Sequence, residues 1–448
     1  MRKKNRIFCV FLAAALLCGL TAGCGGRSGQ KPKVTLNVKC PTLQMNDHVG
    51  TGFTNAAQFL KKAADAFKEQ YGAADVTVNL IEFELTNEDA EVAGCFDTED
   101  AADVLFEGYF NMSTYIHTGR VVPLDDIISD ELREDIYPSY WTESSLNQKT
   151  YMMPFYTAQN TLSFNADLFR EAGLGEFIKE PDVIQNWSKE QFEYVFEALD
   201  ENLPDLVSPM MMYAADNQGD THIMTLLRAF GCPLFDENGR FCVNTPEGIA
   251  ALQWLKDCND KGYFPTNADT LVIMDNYNRF INGQLAIYIN NVAQEINCKK
   301  EGGFDIYSVN FPNFADEGKT GYATVFTSGF EVFDNGDEEK LKAGKAFVKF
   351  IYESEYKDYM TGAMPCSASV AEKYADALKS ESKYINNSGA NVNLTGNNPN
   401  WRGVRAAFYP NIQDLLFGDK TPEEAAASID ASCNAAIEEG YANSRLHD

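Results

Sequence analysis

Short strand-type runs alternate with helix-type runs along this chain, and that rhythm restricts the fold more than any other feature. Val34, Leu36 and Val38 alternate with polar residues, which predicts a strand. Phe59, Leu60, Ala63, Phe67 and Tyr71 then recur at helical spacing until Gly72. Val76, Val78 and Leu80 open a second strand, and Val104-Leu105-Phe106 reads as a third, short and fully buried. Strand, helix, strand in succession predicts an α/β fold with parallel pairing, because a crossover helix must return the chain to the same edge. At 448 residues and 45% hydrophobic content the chain can bury a large core, and usual domain sizes favour two lobes over one.

The first residues follow another logic. Arg2, Lys3, Lys4 and Arg6 precede an apolar run from Ile7 to Leu20, too short to span a bilayer comfortably, and Leu20-Thr21-Ala22-Gly23-Cys24 follows. This resembles a bacterial lipoprotein signal, with Thr21 where the usual pattern has Leu. It implies removal of residues 1–23, lipidation of Cys24 and an extracytoplasmic location at the cell membrane. Residues 24–33, rich in Gly, Ser and Lys, read as a flexible tether.

Charge and composition exclude several classes. There are 37 Lys and Arg against 65 Asp and Glu, a net charge of −28, and loss of the four signal cations brings it to about −32. Such a surface repels phosphate backbones, so nucleic-acid binding is excluded. Of 11 cysteines, eight lie beyond Cys24, none at CxxC spacing, and the four histidines are far apart, so neither a metal nor another cofactor is expected. Cys232 and Cys242 flank the turn signal Asp236-Glu237-Asn238-Gly239, and a bridge across a hairpin is one of two readings, buried free thiols being the other. No Gly-x-Ser-x-Gly elbow or HExxH motif is present.

Further along, Asn165 caps a predicted short helix, Ser188 with Gln191 forms a capping box, and Thr245-Pro246-Glu247 opens another helix. Leu285 to Ile289 reads as a core strand, and Thr421 with Glu424 caps a final helix. Several stretches, in this order, resemble the sugar-binding extracellular solute-binding proteins of bacterial ABC importers. They are Ala102 to Phe106, Gly119 to Asp125, Tyr151 to Tyr156, Leu162 to Leu174, Phe280-Ile281-Asn282-Gly283-Gln284-Leu285-Ala286 and Gly418 to Ala425. The resemblance implies a two-lobed type II periplasmic-binding-protein fold with three crossing segments, near Thr157–Thr161, Ala323–Ser328 and Thr361–Cys366. It assigns 34–157 plus 328–362 to lobe I and 158–327 plus 363–448 to lobe II. It further implies a monomer that closes on a carbohydrate, an oligosaccharide, and delivers it to a permease without catalysis. A polyamine or other small polar solute in the same fold, and a lipid-anchored glycoside hydrolase, are the competing readings.

A sugar needs aromatic faces and bidentate polar groups, which selects a set of candidate contacts. Glu107, Tyr109 and Phe110 follow the third strand at its carboxyl end, where α/β sheets bind ligands. Tyr156 lies at the first crossing, Asn290 and Asn291 follow a core strand, and Phe330 lies past the second crossing. Trp401, in a polar loop, is expected to be a stacking platform whose truncation weakens binding without unfolding, with Arg405 beside it. Asp47, near the glycine pair Gly50 and Gly52, borders the cleft in this reading.

Overall fold

The computed structural model describes residues 31–446 apart from 44, 213, 216–219, 317, 393 and 396–397. The signal segment, Cys24 and the tether up to residue 30 lie outside the described residues. The principal strands are β1 (Lys33–Pro41), β2 (Asp75–Phe83), β3 (Val104–Gly108), β4 (Met153–Asn165), β5 (Ile184–Gln185), β6 (Ser208–Met210), β7 (Leu285–Asn290), β8 (Ile306–Val309), β9 (Ala323–Val332), β10 (Met364–Pro365) and β11 (Asn391–Val392). The helices used below are α1 (Ala56–Gln70), α2 (Met112–His117), α3 (Ala166–Glu171), α4 (Lys189–Asn202), α5 (Asp220–Ala229), α6 (Pro246–Asp260), α7 (Val292–Gly302), α8 (Glu338–Glu353), α9 (Ser382–Asn386), α10 (Trp401–Phe417) and α11 (Pro422–Asn443).

Local chemistry sets many of these boundaries. Asn165 accepts from the amides of Asp167 and Leu168 to start α3, and capping boxes at Ser188/Gln191 and Thr421/Glu424 start α4 and α11. The expected first helix and first three strands are all present, but β3 runs two residues further than its apolar core, to Gly108. That extension draws Glu107 into the sheet.

Two sheets share one strand. In the first, β2, β1 and β3 are parallel neighbours, with Lys33 opposite Asp75 and Val38 opposite Val104, and β9 runs antiparallel between β3 and β4. The second half of β4 then lies between β7 and β8, which carry β6 and β5 on their outer sides. Thus β4 pairs with β9 up to Asn160 and with β7 from Thr161. Beside it run β9 and the segment entering β10, whose Met364 faces Thr157, so three crossings lie side by side where the lobes meet. The β9 register shifts between Ser328 and Gly329, and Gly329 sits so close to β4 that a Cβ would approach the Met153 carbonyl oxygen to 2.2 Å.

Each lobe has its own core. In the first, Phe59 stacks on Phe155 at 5.2 Å and Phe106 meets Phe330 at 4.7 Å, with α1 and α8 covering the sheet. In the second, Phe164 stacks on Phe169 and Trp187 meets Phe192, in the same apolar cluster as Leu255 of α6, Phe408 of α10 and Ile429 of α11.

Two expectations need correction here. Phe330, proposed as a ligand contact, is a fully buried member of the first-lobe aromatic core. Cys232 and Cys242 are free thiols rather than a bridge. The Asp236–Gly239 turn does form, but Cys242 donates its amide to Leu234, so the register places Leu234, not Cys232, opposite it. Cys232 instead points its Sγ at the Cys242 carbonyl, 3.8 Å away, and burial pushes its pKa up to about 11.

Candidate functional site

The crossing strands bring together side chains that are far apart in sequence. Tyr109 and Phe110 leave the carboxyl end of β3, as expected, with ring centroids 4.8 Å apart. Phe110 stacks on Phe326 of β9 at 5.0 Å, and the Arg405 guanidinium of α10 lies 6.0 Å from the Phe110 ring. Arg405 is oriented by the buried Asp220 of α5, with Nε 2.5 Å from Oδ2 and a terminal nitrogen 3.3 Å from Oδ1. First lobe, crossing strand and second lobe therefore contribute to one aromatic and cationic wall.

Polar groups flank this wall. Tyr109 donates its amide to the Thr327 carbonyl at 2.9 Å, and the Thr327 hydroxyl lies 2.9 Å from Glu143 Oε2 and 3.1 Å from the Thr157 hydroxyl. Burial pushes Glu143 up to about 7, against the opposing hydrogen bond from Thr327. Burial, then Glu143, also raises Tyr109 well above the usual phenol range. On the second-lobe side, Gln159 of β4 bonds to Asn391, and Asn387 donates to Gln159 Oε1 at 2.9 Å and to Asn310 Oδ1 at 2.7 Å. Asn160 Oδ1, Asn290 Nδ2 and Asn398 Nδ2 are buried without a hydrogen-bond partner among the described residues.

The other expected contacts are placed differently. Asn291 caps α7, its oxygen accepting from Gln294 at 3.1 Å, while its neighbour Asn290 is the one with an unpartnered amide. Tyr156 is buried at the crossing and sets its ring edge-on to Phe106 at 5.6 Å, so its ring packs within the first lobe. Asp47 is exposed and bonded to its own loop, accepting from the amides of Thr51 and Gly52 at 2.7 Å. Desolvation raises its carboxyl, but these hydrogen bonds together outweigh it and hold the carboxyl below its usual value.

Glu107 and Trp401 depart most from expectation. On the opposite face of β3 from Phe106, Glu107 is buried with Glu88 and Glu331, and Asn111 reaches its Oε1 at 3.4 Å. Burial, followed by Glu88 and Glu331, raises its pKa well above the usual carboxylate value, so it is an interior group rather than a cleft carboxylate. Trp401 is the first residue of α10, capped by Asn400, and is fully buried in the apolar core. Its expected role as an open stacking platform is not what this fold presents. Phe326 and Glu143 were missed in the sequence, although Phe326 lies within the expected Ala323–Ser328 crossing.

Paired lobes, a shared crossing and a mixed aromatic and amide wall define a small-solute binder. The model of the bacterial extracellular solute-binding protein family matches residues 50–358, and the chain belongs to that family. A binding protein of Brucella abortus is 22% identical over 347 residues, which covers 74% of this chain and 79% of the relative. The GacH receptor of Streptomyces glaucescens, solved unliganded and with acarbose, superposes with a TM-score of 0.70 at 17% identity, covering 92% of this chain and all of that one. The substrate-binding protein Lmo0181 of Listeria monocytogenes, in complex with cycloalternan, gives 0.70 at 18% identity, covering 91% of this chain and all of that one. These structures share the two-lobed fold. No helix among the described residues is long and apolar enough to cross a membrane.

Proposed function

We propose that this chain captures a carbohydrate, an oligosaccharide, between its lobes and delivers it to an ABC permease. The observation that carries this reading is the Tyr109, Phe110 and Phe326 stack beside the Arg405–Asp220 pair. Ring faces suit sugar C–H surfaces, and the buried amides of Asn160, Asn290 and Asn398 offer complementary groups for hydroxyls. Acarbose and cycloalternan are the ligands named with GacH and Lmo0181, which supports this class of ligand. Tyr109, Phe110, Asn290 and Arg405 are retained as proposed contacts, Phe326 and Glu143 are added, Asn291 serves as the cap of α7, and Tyr156 supports the crossing.

A polyamine reading needs several cleft carboxylates. Its two proposed acids are otherwise engaged, Asp47 in its own turn and Glu107 in the interior, and Glu143, bonded to Thr327, does not by itself supply several. A hydrolase reading gains no support from the family, whose members bind solutes. The proposal includes lipidation of Cys24 as the membrane anchor, a monomer, and lobe boundaries at 34–157 plus 328–362 and 158–327 plus 363–448.

A thermal-shift screen of the mature chain with Cys24 replaced tests the reading. A bound glycan at 100 times its Kd is expected to stabilise the folded chain by about 2.7 kcal/mol. Phe110→Ala should lower affinity for that glycan at least ~10-fold, about 1.4 kcal/mol. Stabilisation by polyamines alone would overturn the assignment.

A further inference from the structure

His48 and Glu381 face each other at the junction between the first lobe and α9. His48 belongs to the loop between β1 and α1, which is fixed on the first lobe: Met45 donates to the Thr54 carbonyl at 2.9 Å, Asn46 to the Gly362 carbonyl at 2.8 Å, and Phe53 stacks on Tyr359 at 5.4 Å. Glu381 stands where the chain leaves a segment held on the first lobe, with Val370 in that lobe's core and Lys373 2.7 Å from Asp358, and enters α9, which is tied to the second lobe. There Lys383 Nζ lies 2.8 Å from Glu295 Oε1 in α7, and the Tyr384 hydroxyl lies 2.5 Å from Oε2 of the same residue. Between the two anchored segments, His48 Nε2 is 2.6 Å from Glu381 Oε1.

Glu381 is fully buried, so its charge needs a partner. Asn46 Nδ2 reaches Oε1 at 3.3 Å and the Ser380 hydroxyl reaches Oε2 at 2.7 Å, but both are neutral. Among the described residues no lysine or arginine pairs with Glu381, which leaves His48 as its cation. The ring also faces the Ala377 carbonyl, and Asp47 adds a second nearby negative charge. Two acceptors meet one imidazole, and only the charged imidazolium carries an N–H for each.

We propose that His48 and Glu381 form a proton-operated latch that holds the lobes closed. The inference rests on the lobe assignment given above, and it concerns regulation of that site rather than the identity of its ligand. With the lobes apart, His48 returns to solvent and to its usual value of 6.5; with the lobes together, the Glu381 hydrogen bond raises it, against the effect of burial. Closure therefore takes up a proton in the interval between the two values. The latch contribution is fully present below 6.5 and is lost as pH rises through the raised value. An importer facing an acidic exterior would hold solute more firmly there and release it more readily as pH rises.

Interlobe distance in the ligand-free protein tests this without any sugar. Dyes carried by unnatural side chains at Lys61 of α1 and at Glu237 of the second-lobe hairpin, both exposed, report lobe separation by energy transfer. In the native chain the closed-to-open ratio is expected to fall by up to ~10-fold per pH unit across the interval, the limit for one linked proton. His48→Gln should abolish that slope, and Glu381→Gln should abolish it independently. Glu107, Glu331 and, beside the crossing, Glu143 also titrate, and the comparison of native and variant slopes removes their contribution. A native slope of zero, or a His48→Gln slope equal to the native one, overturns the latch. Adding the stabilising glycan from the thermal screen then reports on the carbohydrate reading separately, since a latch without sugar-induced closure, or the reverse, is a distinct outcome.

Discussion

Trp401→Ala is expected to lower the unfolding free energy by about 3–5 kcal/mol, the usual cost of emptying a buried aromatic site. The ring is fully buried at the start of α10, in the same core as Val404, Phe408 and Ile412 of that helix. Its amide donates to the Thr114 hydroxyl of α2 at 3.2 Å, so the residue also ties α10 to α2. Among the described residues the indole Nε1 has no hydrogen-bond partner. Trp401→Phe should therefore keep most of the stability, because the lost N–H made no bond. Urea unfolding followed by circular dichroism gives both values. An alanine variant with a native midpoint but weaker glycan binding would restore the stacking role and remove the core role.

What the sequence revealed was what local chemistry decides. The caps at Asn165, Ser188 and Thr421 depend on a side chain and an amide three residues away, and each forms as read. The crossing near Ala323–Ser328 was also readable, and Phe326 lies in it. Trp401 was not readable, because a polar loop in sequence became a helix start whose burial depends on α2, far away in the chain. Glu107 failed for a related reason. Its strand was taken to end at Phe106, whereas pairing with β9 carries it to Gly108 and turns Glu107 inward. Its neighbours Glu88 and Glu331 come from distant segments that no local pattern links. The Arg405–Asp220 pair is similarly nonlocal, although Arg405 itself was flagged. Asp47 is the case where a better local reading was available, since the amides of Thr51 and Gly52 lie within a turn of its carboxylate.

The buried acids set the second large expectation, a loss of stability toward alkaline pH that Glu331→Gln relieves. Glu88, Glu107 and Glu331 lie together beneath the first sheet; Glu88 accepts from Asn111 at 2.6 Å and from the Tyr115 hydroxyl at 2.5 Å. Neither oxygen of Glu331 has a hydrogen-bond partner among the described residues. Burial, followed by the charge of Glu88, raises Glu331 from 4.5 to about 8. The folded chain thus holds a proton that the unfolded chain releases above 4.5. A raised carboxyl contributes stability that is fully present below 4.5 and is lost as pH climbs to about 8. The whole interval corresponds to a change on the order of 5 kcal/mol. Glutamine has the same shape and no proton to lose, so at pH ~5 the variant should match the native chain within about 1 kcal/mol, while at pH ~8.5 it should be more stable by several. Urea midpoints at the two pH values decide it. Equal native and variant midpoints at the higher pH would mean that Glu331 meets solvent or a cation in the folded chain. Glu107→Gln, raised by the same burial and the same neighbours, should act in the same direction.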